Sequence, residues 1–251
     1  MYYKIIASGS KGNATLVVSN NTVILVDLGI TLKWLNEALA SLSMTLKDLD
    51  AVIFTHNHSD HLNGLKAISP KKMYALERTL PGSLSNVVEL YKPFYINEVK
   101  ITPFPTSHDA TNPCGYVIED EEDKLTYLTD TGVFLEESLK VNQNPTYLII
   151  ESNHDIQMEM KTNRPLLLKQ RILSDKGHLS NEDSAFASIQ IIGDRTKEIV
   201  LAHLSEEANC PDVALEAYKT VFDYKGVDIT KYNVRCANQY EALIGGNYHE
   251  D

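Results

Sequence analysis

The sequence predicts a layered α/β protein, with sheets packed face to face and helices outside. Two observations carry that prediction: short apolar, β-branched runs recur along the chain, and helical patterns are interspersed among them. Taken in order, Tyr2 to Ile6, Thr15 to Ser19, Thr22 to Val26 and Ala51 to Thr55 read as strands. They are nearly all apolar, so some of them are buried on both faces. Leu32, Leu35, Leu39 and Leu42 then fall at helical spacing, which predicts an amphipathic helix over 31–42. Gly115 to Asp130 reads as a hairpin with the acidic run Glu119-Asp120-Glu121-Glu122-Asp123 at its tip. Tyr147 to Glu151 and Glu198 to Leu201 are further strands, separated by helical patterns around 164–173 and 181–192.

No repeat and no Gly/Ser/Pro-rich linker interrupts the 251 residues, so one domain over 1–251 is expected. The composition, 43% hydrophobic and 23% charged, excludes a disordered tail, a collagen or a coiled-coil rod. No apolar run approaches the roughly 20 residues of a membrane helix, so no membrane partner is expected. The first six residues are too brief for a signal-peptide core. Three cysteines without a C-x-x-C argue against a disulfide framework or a thiolate zinc cluster, and make a reducing cytoplasm the default. The net charge of −11 argues against a nonspecific nucleic-acid coat. Its distribution is uneven. The acidic run reads as solvated surface, whereas 161–176 carries Lys161, Arg164, Lys169, Arg171 and Lys176 against Asp175 alone. That stretch reads either as the wall of a positive groove or as a solvated helix face.

The most informative segment is Thr55-His56-Asn57-His58-Ser59-Asp60-His61, directly after an apolar strand. Residues two apart in an extended chain project to one side, so His56 and His58 can reach one ion together. Asp60 and His61 follow as the chain turns and point elsewhere, which favours two adjacent ions. One cluster does not complete two coordination spheres. Further ligand-type residues stand just past apolar strands, namely His108, Asp130 and His203. Sites on layered α/β folds gather there.

The ordered set His56-x-His58-x-Asp60-His61, His108, Asp130, His203 resembles the metallo-β-lactamase superfamily of binuclear metallohydrolases. The resemblance implies a four-layer αββα sandwich with the metal site at one edge of the sheets. It implies that one ion takes His56, His58 and His108, the second takes Asp60, His61 and His203, and Asp130 bridges both. Asp27, in Ile24-Leu25-Val26-Asp27-Leu28-Gly29, matches the family's buried aspartate that orients a histidine ligand.

Two segments narrow the substrate. Glu151 ends an apolar strand in Ile149-Ile150-Glu151-Ser152-Asn153-His154-Asp155, and His178 precedes a helix in Lys176-Gly177-His178-Leu179-Ser180-Asn181. Ser180 and Asp183 form a capping-box pattern, which puts His178 near the positive end of a helix, where an anionic phosphate is favoured. A glutamate bonded to that histidine would fix its tautomer and make it a proton donor. The order E-x-N, G-H-L-S-N, H-L-S is similar to the tRNase Z and PhnP-like phosphodiesterase branch. With S-G-S-K-G-N-A at 8–14, it looks like the bacterial YycJ/WalJ (VicX) group. The resemblance implies a cytoplasmic single-strand DNA 5′-exonuclease using two divalent ions, Zn or Mn, and a bridging hydroxide. Asp60, Glu151 and His178 would be its catalytic residues.

Ser8, Lys11 and Asn13 lie on a Gly-containing loop that could lend donors to phosphate or form a simple turn. Asn153 and His154 are candidates for touching substrate or supporting the ligands. His249 reads as tail. No insertion resembles the tRNA-clamping arm of tRNase Z, which weakens tRNA maturation. A metallohydrolase of a cyclic phosphodiester, thioester or lactone remains the alternative, and a non-catalytic metal protein is the third reading. The sequence leaves the oligomeric state open.

Overall fold

The computed structural model describes residues 1–82 and 86–248. His249 lies outside the described residues. Strands β1 (Tyr2–Ala7), β2 (Ala14–Ser19) and β3 (Thr22–Val26) form an antiparallel meander. Helix α1 (Leu32–Ala40) then carries the chain to β4 (Ala51–Ile53), which pairs parallel to β3. After the short helix α2 (Ser59–Leu62), β5 (Met73–Leu76) and β6 (Asn86–Val88) extend the sheet in parallel.

The second sheet starts with β7 (Phe94–Ile96), β8 (Val99–Pro105), β9 (Cys114–Glu119) and β10 (Lys124–Leu128), each antiparallel to the one before. Following α3 (Leu139–Asn142), it continues in parallel through β11 (Tyr147–Glu151). Helices α4 (Ile156–Lys161), α5 (Leu166–Ile172) and α6 (Asn181–Ile191) lead to β12 (Glu198–Ala202), and α7 (Pro211–Lys225) leads to β13 (Asn233–Cys236). Finally β14 (Leu243–Gly246) returns to the first sheet and pairs with β1. The orders are β14-β1-β2-β3-β4-β5-β6 and β13-β12-β11-β10-β9-β8-β7.

The apolar strands alternate between two cores, which is why they carry hardly any polar residue. Ile24, Val26 and Ile53 of the first sheet meet Ile101, Tyr116, Ile118 and Ile149 of the second in the central core. Leu25 and Val52 point outward, under Leu35 and Leu39 of α1. Leu148, Ile150 and Leu201 point out on the other side, under Ala185 and Ile191 of α6 and Tyr218 and Phe222 of α7. The result is four layers, helix, sheet, sheet and helix, as expected. The caps agree with the chemistry of helix starts: Thr31 Oγ1 accepts from the Trp34 N–H at 3.3 Å, and Ser180 Oγ from the Asp183 N–H at 3.1 Å. Among the described residues, no helix is long and apolar enough to cross a membrane.

Two charged stretches differ from expectation. The acidic run is more than solvated surface, because the hairpin tip folds over the start of β1. There Asp123, 3% exposed, accepts from the Met1 amino group at 3.0 Å, and Asp120 accepts from Ser19 Oγ at 2.6 Å. The basic stretch is partly consumed by the fold. Arg164 pairs with the buried Glu159 at 2.6 Å, and Lys169 Nζ donates to the carbonyls of Met160 and Thr162 at 2.7 and 2.8 Å. Lys161 and Lys176 remain exposed.

Candidate metal centre

The polar residues singled out from sequence stand at strand ends. Asp27 follows β3, His56 to His61 run from the end of β4 into α2, and His108 follows β8. Asp130 follows β10, Glu151 ends β11, His203 follows β12, and His178 precedes α6. β8, β10, β11 and β12 run in one direction, so their carboxyl ends open on one edge, where sites on open α/β sheets form. Asp27, Asp130 and His203 take left-handed backbone, with φ of 59°, 57° and 55°. Each such turn costs a non-glycine residue of the order of 1–2 kcal/mol and aims the side chain sharply off its strand.

The ligand-type atoms of His56, His58 and His108 lie within 4.8 Å of one another. So do those of His56, His61 and Asp130, and those of Asp130, Glu151, His178 and His203. Asp130 and His56 are shared between groups, so these are neighbouring sites. Asp60 stands at the rim, 22% exposed, with Oδ2 3.6 Å from His61 Nε2.

Four of the five imidazoles expected to be ligands are tethered through Nδ1, which leaves Nε2 to face the cluster. His61 Nδ1 donates to Asp27 Oδ2 at 2.8 Å. Thr55 donates its hydroxyl to the same oxygen at 2.8 Å and lies 3.0 Å from His56 Nδ1, so Asp27 holds His56 through Thr55. His108 Nδ1 donates to the Gly177 carbonyl at 2.9 Å, and His203 Nδ1 to Glu151 Oε1 at 2.8 Å. Such outward bonds fix tautomer and ring orientation for a metal ligand. His58 differs, with its Nδ1 3.3 Å from His108 Nε2.

Glu151 is fully buried and accepts four N–H groups. Oε1 takes His178 Nδ1 at 2.7 Å and His203 Nδ1 at 2.8 Å, while Oε2 takes the backbone N–H of Thr131 at 2.9 Å and of Leu179 at 3.2 Å. Burial alone would raise its pKa, but His178, His203 and these bonds hold it down to about 2. Burial is likewise outweighed at Asp130, which His203 and His61 keep well below the usual carboxylate range. Against their own burial, Asp130 and Glu151 bring His203 up to about 9, and Asp27 and Asp130 raise His61 well above the usual imidazole value. Burial and neighbouring imidazoles push His56 and His108 down.

Do these residues fit an ion? His56 Nε2, His203 Nε2 and Asp130 Oδ2 are buried and make no hydrogen bond. Leaving such atoms unpaired costs about 1–3 kcal/mol each. Imidazole nitrogen and carboxylate oxygen are the donors that Zn and similar divalent ions take. The residues therefore fit a metal centre.

The remaining candidates surround it. Asn13 is fully buried, with Nδ2 3.0 Å from His61 Nε2 and 3.3 Å from Asp60 Oδ2, and Ser8 Oγ accepts from the His203 N–H at 2.8 Å. Asn153 Nδ2 donates to the His203 carbonyl at 2.8 Å. Lys11 points outward, pairing with Glu206 at 2.6 Å. His154 is buried, its pKa pushed by burial down to about 4, and its Nδ1 makes no hydrogen bond. Sequence reasoning missed Thr55 and the Gly177 carbonyl, and it named Arg171 only within the basic stretch, not for the two-pronged pair in which its guanidinium grips Asp109 beside His108. The signal for Thr55 and Gly177 was their adjacency to the histidine motifs. Arg171 has no local signal.

Two mixed sheets between helices, with a buried histidine and carboxylate cluster on the strand ends, define a metallo-β-lactamase fold. The chain belongs to the beta-lactamase superfamily, whose domain matches residues 22–204. Exodeoxyribonuclease WalJ of Streptococcus pneumoniae serotype 2 (strain D39) is 37% identical over 227 residues, 84% of each chain. Exodeoxyribonuclease YycJ of Bacillus anthracis is 31% identical over 242 residues, covering 91% of this chain and 92% of that protein. Among solved structures, the metallo-beta-lactamase fold protein YhfI of Bacillus subtilis superposes with a TM-score of 0.71 at 17% identity, over 97% of this chain and 99% of its own. The short form of human tRNase Z does so at 0.63 and 15% identity, over 97% and 98%. At these identities the structural likenesses show the fold alone.

Proposed function

We propose that the chain is a metal-dependent nuclease that degrades single-stranded DNA from an end, using two divalent ions, Zn or Mn. His56, His58 and His108, whose ligand-type atoms lie together, would hold one ion; Asp60, His61 and His203 would hold the other, and Asp130, with oxygens 3.3 Å from His61 and 3.4 Å from His203, would reach both. Ions bound there supply an activated water and neutralise charge that builds on a phosphate. The chain's own residues do the rest. Glu151 holds His178 by Nδ1, leaving Nε2 to face the cleft and hand a proton to the leaving oxygen. His178 is 17% exposed and Glu151 is 0% exposed, so the donor meets substrate while its partner stays dry. The N-terminus of α6, capped by Ser180, adds a positive end beside that donor. Asp60, at the rim, would orient the nucleophile.

The observation that carries this reading is the Glu151–His178 pair adjoining the ligand cluster, which a merely structural metal site does not need. Two relatives named exodeoxyribonucleases, at 37% and 31% identity, support DNA as the substrate. The three free thiols suit a cytoplasmic location.

The test is His178→Ala on an end-labelled single-stranded oligonucleotide, with metal content measured in parallel. Turnover should fall by about 10²–10⁴-fold while bound metal is unchanged. Undiminished cleavage would remove His178 from the reaction. Turnover by wild-type protein of a cyclic phosphodiester, thioester or lactone alone, with no cleavage of DNA, would remove the nuclease.

A further inference from the structure

The loop between β1 and β2 forms one wall of the ligand cluster. The Asn13 N–H donates to the Asp60 carbonyl at 2.8 Å, and Ser8 supports His203. Whatever stands on the outer side of this loop is therefore the rim of the centre. A groove of about 440 Å³ runs there, lined by Ser10, Lys11, Gly29, Ser59, Asp60 and Leu62 among others.

At the Lys11 side of this groove stand two aromatic rings from distant parts of the chain. Trp34, on α1, and Tyr240, between β13 and β14, have ring centroids 6.4 Å apart and planes within 14° of parallel. Tyr240 is 55% exposed, which is large for an aromatic side chain, yet it is not loosely held. Its hydroxyl accepts from Lys11 Nζ at 2.8 Å. The preceding residue, Gln239, is buried and clamps the same loop: Oε1 accepts from the Lys11 N–H at 3.0 Å, and Nε2 donates to the Gly12 carbonyl at 3.0 Å. Tyr240 is thus fixed to the loop that touches the ligands. A pre-positioned, exposed aromatic ring, held by the Glu206-paired Lys11 at the rim of a candidate phosphate-reacting centre, matches how single strands are held, by base stacking.

We propose that Tyr240, backed by Trp34, is a stacking shelf for an unpaired nucleobase of the strand whose phosphate is being cleaved, with Lys11 holding the ring in place. This rests on the nuclease reading above. The shelf deepens that reading, because only an unpaired, unstacked base can offer its face to a protein side chain, so it selects single strands over duplex.

Trp34 is the sole tryptophan, so its fluorescence reports on the shelf directly. The experiment titrates the metal-loaded protein with a phosphorothioate thymidine oligonucleotide and with an abasic strand of equal length. The base-bearing strand should quench Trp34 and bind about ten-fold or more tighter than the abasic one. Tyr240→Ala should bring the two affinities together, and Tyr240→Phe should keep them apart. If wild type cleaves and binds DNA but does not distinguish the two strands, or Tyr240→Ala keeps the distinction, the shelf falls while the nuclease stands. If wild type neither binds nor cleaves either strand, the nuclease reading falls and takes the shelf with it.

Discussion

At the scale of single residues, Glu151 is a junction, because one buried oxygen holds both His178 and His203. Glu151→Gln offers an oxygen or an amide to those rings in place of a carboxylate, and removes the charge that favours both Nδ1 protons. It should lower kcat by about 100-fold and also reduce bound metal, whereas His178→Ala affects turnover alone. Metal analysis beside single-turnover cleavage separates the two, and full metal content in Glu151→Gln would deny its support of His203. The histidines themselves were legible in the sequence because their residue type and spacing announce a ligand set. Of their supports, Asp27 was named only through the family resemblance, and Thr55 and the Gly177 carbonyl were not named at all. Asp27 reaches Thr55 and His61 across 28 and 34 positions, and His108 finds a backbone carbonyl 69 positions away. No residue type marks such a carbonyl.

At the scale of elements, the turn from α5 to α6 holds both the His108 tether and His178. Gly177 makes that turn possible, since a Cβ there would lie 2.1 Å from the Ile172 carbonyl oxygen. Gly177→Ala must therefore push the turn aside. A loss of about 1–3 kcal/mol in chemical denaturation, with weakened metal binding through His108, is the expected outcome. Wild-type values of both would mean that the turn yields freely. Element placement from sequence succeeded where apolar runs are continuous, as in β1 to β3 and β9 to β12, since a strand buried on both faces leaves an unmistakable run. The sequence reading left β5 to β7, α2 to α4, α7, β13 and β14 unassigned. β6 and β7 are short edge strands with exposed positions, so their composition resembles loop. Helix α7 was readable: Pro211 starts it, Gly226 at φ 68° stops it, and Ala214, Tyr218, Val221 and Phe222 make a helical stripe.

At the scale of the whole molecule, the ligand cluster joins the two sheets. Asp27 and His56 to His61 come from the first, and His108, Asp130 and His203 from the second. An ion bound by both would brace the central core where the sheets open to solvent. Binding at about 100 times Kd stabilises by about 2.7 kcal/mol, which for a chain of this size is roughly 5–10 °C in Tm. Calorimetry with and without chelator should show that difference. An unchanged Tm, with metal verified as present and then removed, would place the ion outside the bracing position.

The brace has a cost built into its corners, since Asp27, Asp130 and His203 all sit in backbone that glycine would adopt more comfortably. Exchanging any of them for glycine would relax the main chain and erase a carboxylate or imidazole in the same step. Directed evolution scored only on heat tolerance would therefore be drawn toward folded, inert variants, and a library built on this scaffold has to screen for turnover at those three corners.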